Sequence, residues 1–289
     1  MIHVVDVQSR ATIQDLGRFG LRRFGISQCG AMDKLALRAG NILLGNAEDA
    51  PAIEVPLGGI TLKFQQDMNF CVTGAFYEMT LDDKPVFAYW RYQARAGQVL
   101  KMARARIGMY GYLCVQGGIL LPKELNSCST YLRAQIGGIE GRGLQAGDQL
   151  QTVNDPILRG EIGIAPIPLK HTIHALPSSE YQAFKRKSQY YWWRGKWTLQ
   201  SSSDRMGYRF QGQKLELKQP LEMLSHAIQF GSVQVPPSGQ PIILMADAQT
   251  TGGYPKIANV IDADLGALAQ VRLGSTIQFE AVNLEQAAK

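Results

Sequence analysis

The sequence predicts a mainly β protein made of two subdomains. Three observations carry this: short β-type runs bounded by Gly, Pro, Asn and Asp recur along the whole chain, helical periodicity is sparse, and a turn-then-strand pattern repeats. The runs fall at residues 2–7, 60–64, 70–73, 98–104, 110–115, 228–235, 242–245 and 276–279, spacing that suits antiparallel sheet or barrel better than alternating βαβ units. The repeated pattern reads Ala96-Gly97-Gln98-Val99-Leu100, Ala146-Gly147-Asp148-Gln149-Leu150 and Leu273-Gly274-Ser275-Thr276-Ile277. Its last two copies would each close one half of the chain, a weak internal echo of two related β-barrels.

A chain of 289 residues exceeds what one small core usually organises. The expected boundary lies in residues 152–169, where Asn154, Pro156, Pro166 and Pro168 cluster, giving an N-terminal subdomain with linker at 1–169 and a C-terminal one at 170–289. The clearest helix covers residues 32–44, with Leu35, Ala39, Ile42 and Leu43 assigned to its buried face, Asp33 as candidate cap and Gly45-Asn46 as stop. A second helix is expected at 178–189 and a short third at 257–263.

With 45% hydrophobic and 19% charged residues the chain has ample material for a core and no signature of disorder. The start shows no basic leader followed by an apolar stretch, and no window approaches the ~18 apolar residues of a membrane span. The longest apolar run is the short 241–246, so a cytoplasmic protein with no membrane association is expected. Cys29, Cys71, Cys114 and Cys128 form no C-x-x-C pair and read as reduced, buried thiols. The net charge is +6, and the densest basic stretch, Lys185-Arg186-Lys187, runs into aromatic residues 190–193 and Trp197. Such a mix can stack bases and neutralise phosphates. It equally suits an amphipathic helix from Glu180 that packs Tyr181, Phe184 and the Trp rings on the body with its cations solvated. The second reading is preferred, with no nucleic-acid partner.

Several chemistries are excluded. No phosphate-binding G-x-x-x-x-G-K-[ST] loop is present, residues 137–143 do not follow the G-x-G-x-x-G order, and residues 25–30 miss the nucleophile-elbow spacing by one place. His171 and His174, three apart in a strand-like segment, point to opposite faces, so no metal site is assigned. Asp262 and Asp264 read as surface carboxylates. What remains is a set of loops dense in Gly, Arg, Asp, Ser and Thr, at residues 12–20, 29–33, 126–133, 203–209 and 247–255. Successive Gly and Thr residues can present backbone N–H groups to an anion, and Arg can clamp a carboxylate or phosphate through two parallel hydrogen bonds. Together the loops point to a small anionic ligand.

These segments resemble the family that includes the C subunit of ATP-dependent 5-oxoprolinase, the antagonist of the sporulation-kinase inhibitor and the carboxyltransferase domain of urea carboxylase. The matching stretches are residues 12–20, 25–33, 36–41 and 44–46, Gly117-Gly118-Ile119, residues 129–132 and 137–143, Arg205-Met206-Gly207-Tyr208-Arg209, Gln234-Val235-Pro236 and residues 248–255. The resemblance implies two cyclophilin-like β-barrel subdomains, a direct B-subunit partner of similar architecture and a separate A subunit. It implies conversion of 5-oxo-L-proline, ATP and water to L-glutamate, ADP and phosphate, with ATP carried as its magnesium complex and shared with the partner. On that footing Arg205 or Arg209 clamps the substrate carboxylate, with Arg18 also in the substrate-binding set. Asp15 and Asp247 form the catalytic pair of donor-positioning groups, and Thr250, Thr251, Gly252 and Gly253 meet the phosphoryl group. Two alternatives stay open: a biotin-dependent carboxyltransferase acting on a urea-like substrate, and a non-enzymatic antagonist of a kinase-inhibitor protein.

Overall fold

The computed structural model describes residues 1–287, and strands dominate it. The run at 2–7 is the strand Ile2–Val7, while the runs at 98–104 and 110–115 are one seventeen-residue strand, Val99–Val115. The run at 70–73 lies inside Met68–Leu81. These two long strands pair antiparallel from Phe70↔Val115 to Leu81↔Leu100, with shifts of register between Gly74 and Met79. Such bulges bend a strand and raise its twist, which lets a long ribbon curl over a core. The sheet runs in the order Thr12–Gln14, Ala52–Pro56, Val99–Val115, Gly58–Phe64, Ile2–Val7, Gln149–Leu150, with Met68–Leu81 attached to Val99–Val115. It is a curled open sheet. Val4, Ile13, Leu62, Phe64, Phe70 and Leu113 fill its concave side.

One helix, Lys34–Leu43, covers part of this sheet, and Asp33 caps it as expected, its carboxylate accepting the Ala36 N–H at 3.0 Å. Its buried face matches the suggested one only in part, since Leu43 is buried as expected. Leu35 and Ile42 are 54% and 60% exposed, while Ala36, Leu37, Gly40, Asn41 and Leu43 are buried. The reason is close approach: a Cβ on Gly40 would stand 2.7 Å from the Cys114 sulfur and 2.9 Å from the Thr73 hydroxyl. Small residues let the helix lie directly on Met68–Leu81 and Val99–Val115, so side-chain size overrode the apolar stripe.

The second sheet is a closed barrel of seven strands in the order Thr172–Pro177, Lys256–Val260, Ser232–Gln234, Ile242–Leu244, Gly207–Gln211, Trp197–Leu199, Thr276–Ala281. A parallel pairing of the first with the last, Thr172↔Gln278 to Ala175↔Ala281, completes it and leaves no free edge. Its core is aromatic. Trp192 stacks on Phe279 at 4.2 Å and 16°, with Trp197 tilted against Trp192 and Phe210 edge-on to Phe279. Trp192 and Trp197 are fully buried, whereas Tyr190 is 63% exposed.

Two helix boundaries move. Residues 178–189 break into a short turn, Tyr181–Ala183, and a helix, Arg186–Arg194, because Phe184 between them is extended (ψ 148°), buried and bridged to Leu217. Residues 257–263 are mostly barrel strand, and the helix begins later, at Asp262–Ala269; Ala258 and Asn259 pair with neighbours on both sides, which fixes extended backbone there.

The chain divides into two compact units, Met1–Arg18 with Cys29–Pro168, and Phe19–Gln28 with the chain from Leu169 onward. The excursion at Phe19–Gln28 is not part of the division at 169/170 read from the sequence. It joins the second unit because the Ser27 hydroxyl donates to the Ala248 carbonyl at 2.9 Å and Arg22 donates to the carbonyls of Ile228 and Gln249. Among the described residues no helix is long and apolar enough to cross a membrane.

Candidate functional site

Two clusters hold the residues singled out in the sequence, one in each unit. In the first, Asp15 follows the strand Thr12–Gln14 and is 5% exposed. Its Oδ1 accepts from the Gly17 N–H at 2.7 Å and from the hydroxyls of Ser127 at 2.7 Å and Ser129 at 2.5 Å, and its Oδ2 accepts the Cys128 N–H at 2.6 Å. Four donors meet the acceptor capacity of a carboxylate. Asp15 therefore ties residues 15–17 to residues 127–129 and is engaged with the protein's own donors. The neighbouring Cys128 thiol is pushed up by burial and then by the Asp15 charge, so it stays protonated and is a poor nucleophile.

Arg18 is fully buried, donating from Nε to the Glu124 carbonyl at 3.2 Å and from Nη2 to the Ser129 carbonyl at 2.6 Å. Gly137 is required beside it, at φ 70°, where a Cβ would fall 2.0 Å from the Ser129 carbonyl and 2.4 Å from Arg18 Nη2. A third group near this loop went unnoticed in the sequence. The Glu54 carboxylate, 1% exposed, accepts the Met32 N–H at 2.9 Å and the Tyr112 hydroxyl at 2.8 Å, and that hydroxyl accepts the Asp33 N–H at 2.8 Å. Burial, then the charges of Glu54 and Asp33, hold the Tyr112 phenol well above its ordinary value. The available signal was a single carboxylate inside the apolar strand Ala52–Pro56.

In the second unit Arg205 and Asp247 form a two-bond pair, Nε to Oδ2 at 2.9 Å and Nη2 to Oδ1 at 2.8 Å, with side chains 13% and 7% exposed. The Asp247 N–H also donates to the Arg205 carbonyl at 2.9 Å. Arg209 lies on the strand Gly207–Gln211 and is exposed. Thr250 is buried, its carbonyl accepting the Ile228 N–H, whereas Thr251 and Gly252 form a short ladder with His226 and Ala227. Against this ladder stand Gln234, from one of the matching stretches, and Lys256, which the sequence did not mark. The amide nitrogen of Gln234, a residue 3% exposed, has no hydrogen-bond partner and would lie 2.6 Å from a Cβ on Gly252. Lys256 Nζ is 2.5 Å from His226 Nε2 and 3.6 Å from Glu180 Oε2. Burial opposes ionisation of Glu180, but the Ser179 hydroxyl, the Lys256 amide and the Lys256 charge outweigh it, leaving the carboxyl below its ordinary value.

The same unit corrects one reading. Asp264 is not a surface carboxylate: its side chain is fully buried and accepts from Lys170 Nζ at 2.6 Å, the His174 N–H at 2.8 Å and His174 Nδ1 at 2.7 Å. It sits in the first turn of a helix whose inward side, with Leu265 and Leu268, meets the barrel. Among the described residues no three His, Cys, Asp or Glu converge as a metal ion would require.

A family model for the carboxyltransferase domain, subdomain A and B, matches residues 24–281. The chain belongs to this carboxyltransferase family. Within it, the chain is 89% identical over 289 residues to a Haemophilus influenzae protein named as the C subunit of 5-oxoprolinase, covering all of this chain and 94% of that protein. It is 48% identical to the Escherichia coli protein of the same name, again over 100% and 94% of the two lengths. Among solved structures, the urea carboxylase of Kluyveromyces lactis superposes with a TM-score of 0.92 at 26% identity, over 99% of this chain and 28% of that one. This chain therefore corresponds to a little over a quarter of that larger protein.

Proposed function

We propose that this chain is the C subunit of an ATP-dependent 5-oxoprolinase that acts with A and B subunits in the cytoplasm. The observation that carries the reading is the 89% identity, over the full chain, to a protein named for that role. The chemistry is coherent with it. A lactam is a stable amide, and transfer of the terminal phosphoryl group of ATP to its oxygen, with release of ADP, makes the ring carbon electrophilic enough for water to add; the C–N bond then breaks, the nitrogen takes up a proton and phosphate leaves. A site for this reaction needs groups that hold a carboxylate and a phosphoryl group, and the chain offers a set of each kind. Arg209, exposed on its strand, is suited to the substrate carboxylate; Arg205, already held by Asp247, orients the strand and loop around it. Asp15 and Asp247 act as positioning groups for their loops, and Arg18 fixes the carbonyls of Glu124 and Ser129. The unpartnered Gln234 amide beside Gly252 fits a phosphoryl oxygen at residues 250–253, with magnesium accompanying the nucleotide.

The test is glutamate release from 5-oxoproline and ATP by this chain mixed with A and B subunits, alongside mixtures lacking each component. Activity that disappears when this chain is omitted supports the reading; activity that persists rejects it. The family match and the likeness to urea carboxylase favour one second reading, transfer of a carboxyl group from biotin to a urea-like substrate. Dependence of the reconstituted activity on bicarbonate and a biotin carrier is the outcome that selects it.

A further inference from the structure

We propose that Gln234, Lys256 and His226 form a binding site for an anionic oxygen group, a carboxylate or a phosphoryl group, on the second unit beside residues 250–253. The barrel registers assemble it. Gln234 and Lys256 are directly opposed on paired strands, which places their side chains on one face, and His226 is paired with Gly252, against which the Gln234 amide nitrogen lies. The His226 tautomer follows from its neighbours. Nδ1 lies 3.3 Å from the Leu224 carbonyl and carries the proton, and Nε2 accepts from the Lys256 ammonium, which can only donate.

Two kinds of donor are left over. An ammonium has three protons; one goes to His226 and one is directed to Glu180, leaving a third. The Gln234 amide, in a residue 3% exposed, donates to nothing, and a buried donor without an acceptor is costly enough that native proteins rarely keep one unless something fills it. Lys256 is itself only 12% exposed and held on two sides, so its charge is oriented before any ligand arrives. The Gln234 amide and the third ammonium proton have no acceptor, and a carboxylate or phosphoryl group, which carries more than one oxygen, can supply acceptors to both. The binding site stands on this geometry alone, whereas naming 5-oxoproline or phosphate as its occupant rests on the function proposed above.

The experiment uses the full-length chain labelled with nitrogen-15, titrated separately with inorganic phosphate and with 5-oxoproline, against chloride at matched ionic strength. The side-chain amide signal of Gln234, assigned by its loss in Gln234→Leu, is expected to shift saturably with one of the two anions. Phosphate identifies a phosphoryl site and 5-oxoproline a carboxylate site. Lys256→Met is expected to weaken that binding by about 10- to 100-fold, the range for losing one charge-assisted hydrogen bond, and Lys256→Arg to retain most of it. If Lys256→Met does not fold, His226→Leu, which leaves the ammonium without its anchor, is expected to weaken binding in the same direction. The proposal is overturned if neither anion produces a saturable shift, or if a folded Lys256→Met binds as tightly as the unaltered chain. A complex that binds but fails to release glutamate rejects the function proposed above and leaves this site standing.

Discussion

Arg205 and Asp247 illustrate what a nearly buried charge pair does. Each side chain satisfies the other, and removing one leaves an uncompensated charge behind, which typically costs about 3–5 kcal/mol. Arg205→Ala and Asp247→Ala are each expected to lower stability to urea by that order, and the double variant by clearly less than the sum. Equal and additive losses would mean that the pair is not coupled. Asp264 leads to a pH dependence. Burial opposes its ionisation, but Lys170 and the backbone and ring of His174 overcome it, so its carboxyl titrates below the ordinary Asp value in the folded chain. A depressed carboxyl contributes stability above its unfolded pKa and loses that contribution as pH falls through the folded value. The melting-temperature gap between the unaltered chain and Asp264→Asn is therefore expected to be full near neutrality and to shrink as pH drops below about 4. A gap that is constant with pH would assign the effect of the substitution to packing.

The helix Lys34–Leu43 shows where an element can be read from sequence and where it cannot. Its existence and its cap follow from periodicity and from Asp33, since capping is local chemistry. Its orientation does not, because the decisive contact is between Gly40 and atoms of Thr73 and Cys114, which belong to strands far along the chain. Gly40→Val is expected to destabilise by about 1–3 kcal/mol through overpacking, whereas Leu35→Lys, on the exposed side, should fall within about 0.5 kcal/mol of the unaltered chain in chemical denaturation. The reverse result would restore the apolar stripe as the buried face. The strands were legible for a similar reason: alternation and turn residues are local, so Ile2–Val7 and the barrel strands Ile242–Leu244 and Thr276–Ala281 stand close to where they were read. The fusion of two runs into Val99–Val115 was not legible, because Gly108 between them weakens an isolated strand and is tolerated here inside a bulged, curling ribbon.

For the whole molecule, the loops dense in Gly, Arg, Asp and Thr were legible as a set, and the structure distributes them between the Asp15 cluster of the first unit and the Asp247 cluster of the second. Their partners were hidden. Glu54, His226 and Lys256 carry no motif, and only strand registers and long-range hydrogen bonds bring them to these loops. The excursion at Phe19–Gln28 was hidden for the same reason, and it bears on how the chain is made. Ser27 leaves the ribosome 221 residues ahead of the Ala248 carbonyl it will bind, and Arg22 is 206 residues ahead of Ile228. Until residue 169 is made this stretch has nothing else of its own unit to rest on, and the first unit is complete in sequence before the rest of the second begins. The second barrel closes within its own contiguous stretch, but its compact unit does not: a fragment cut at residue 169 would keep all seven strands and lack the segment Phe19–Gln28. The order of translation thus makes this early loop long before the residues it is seated on.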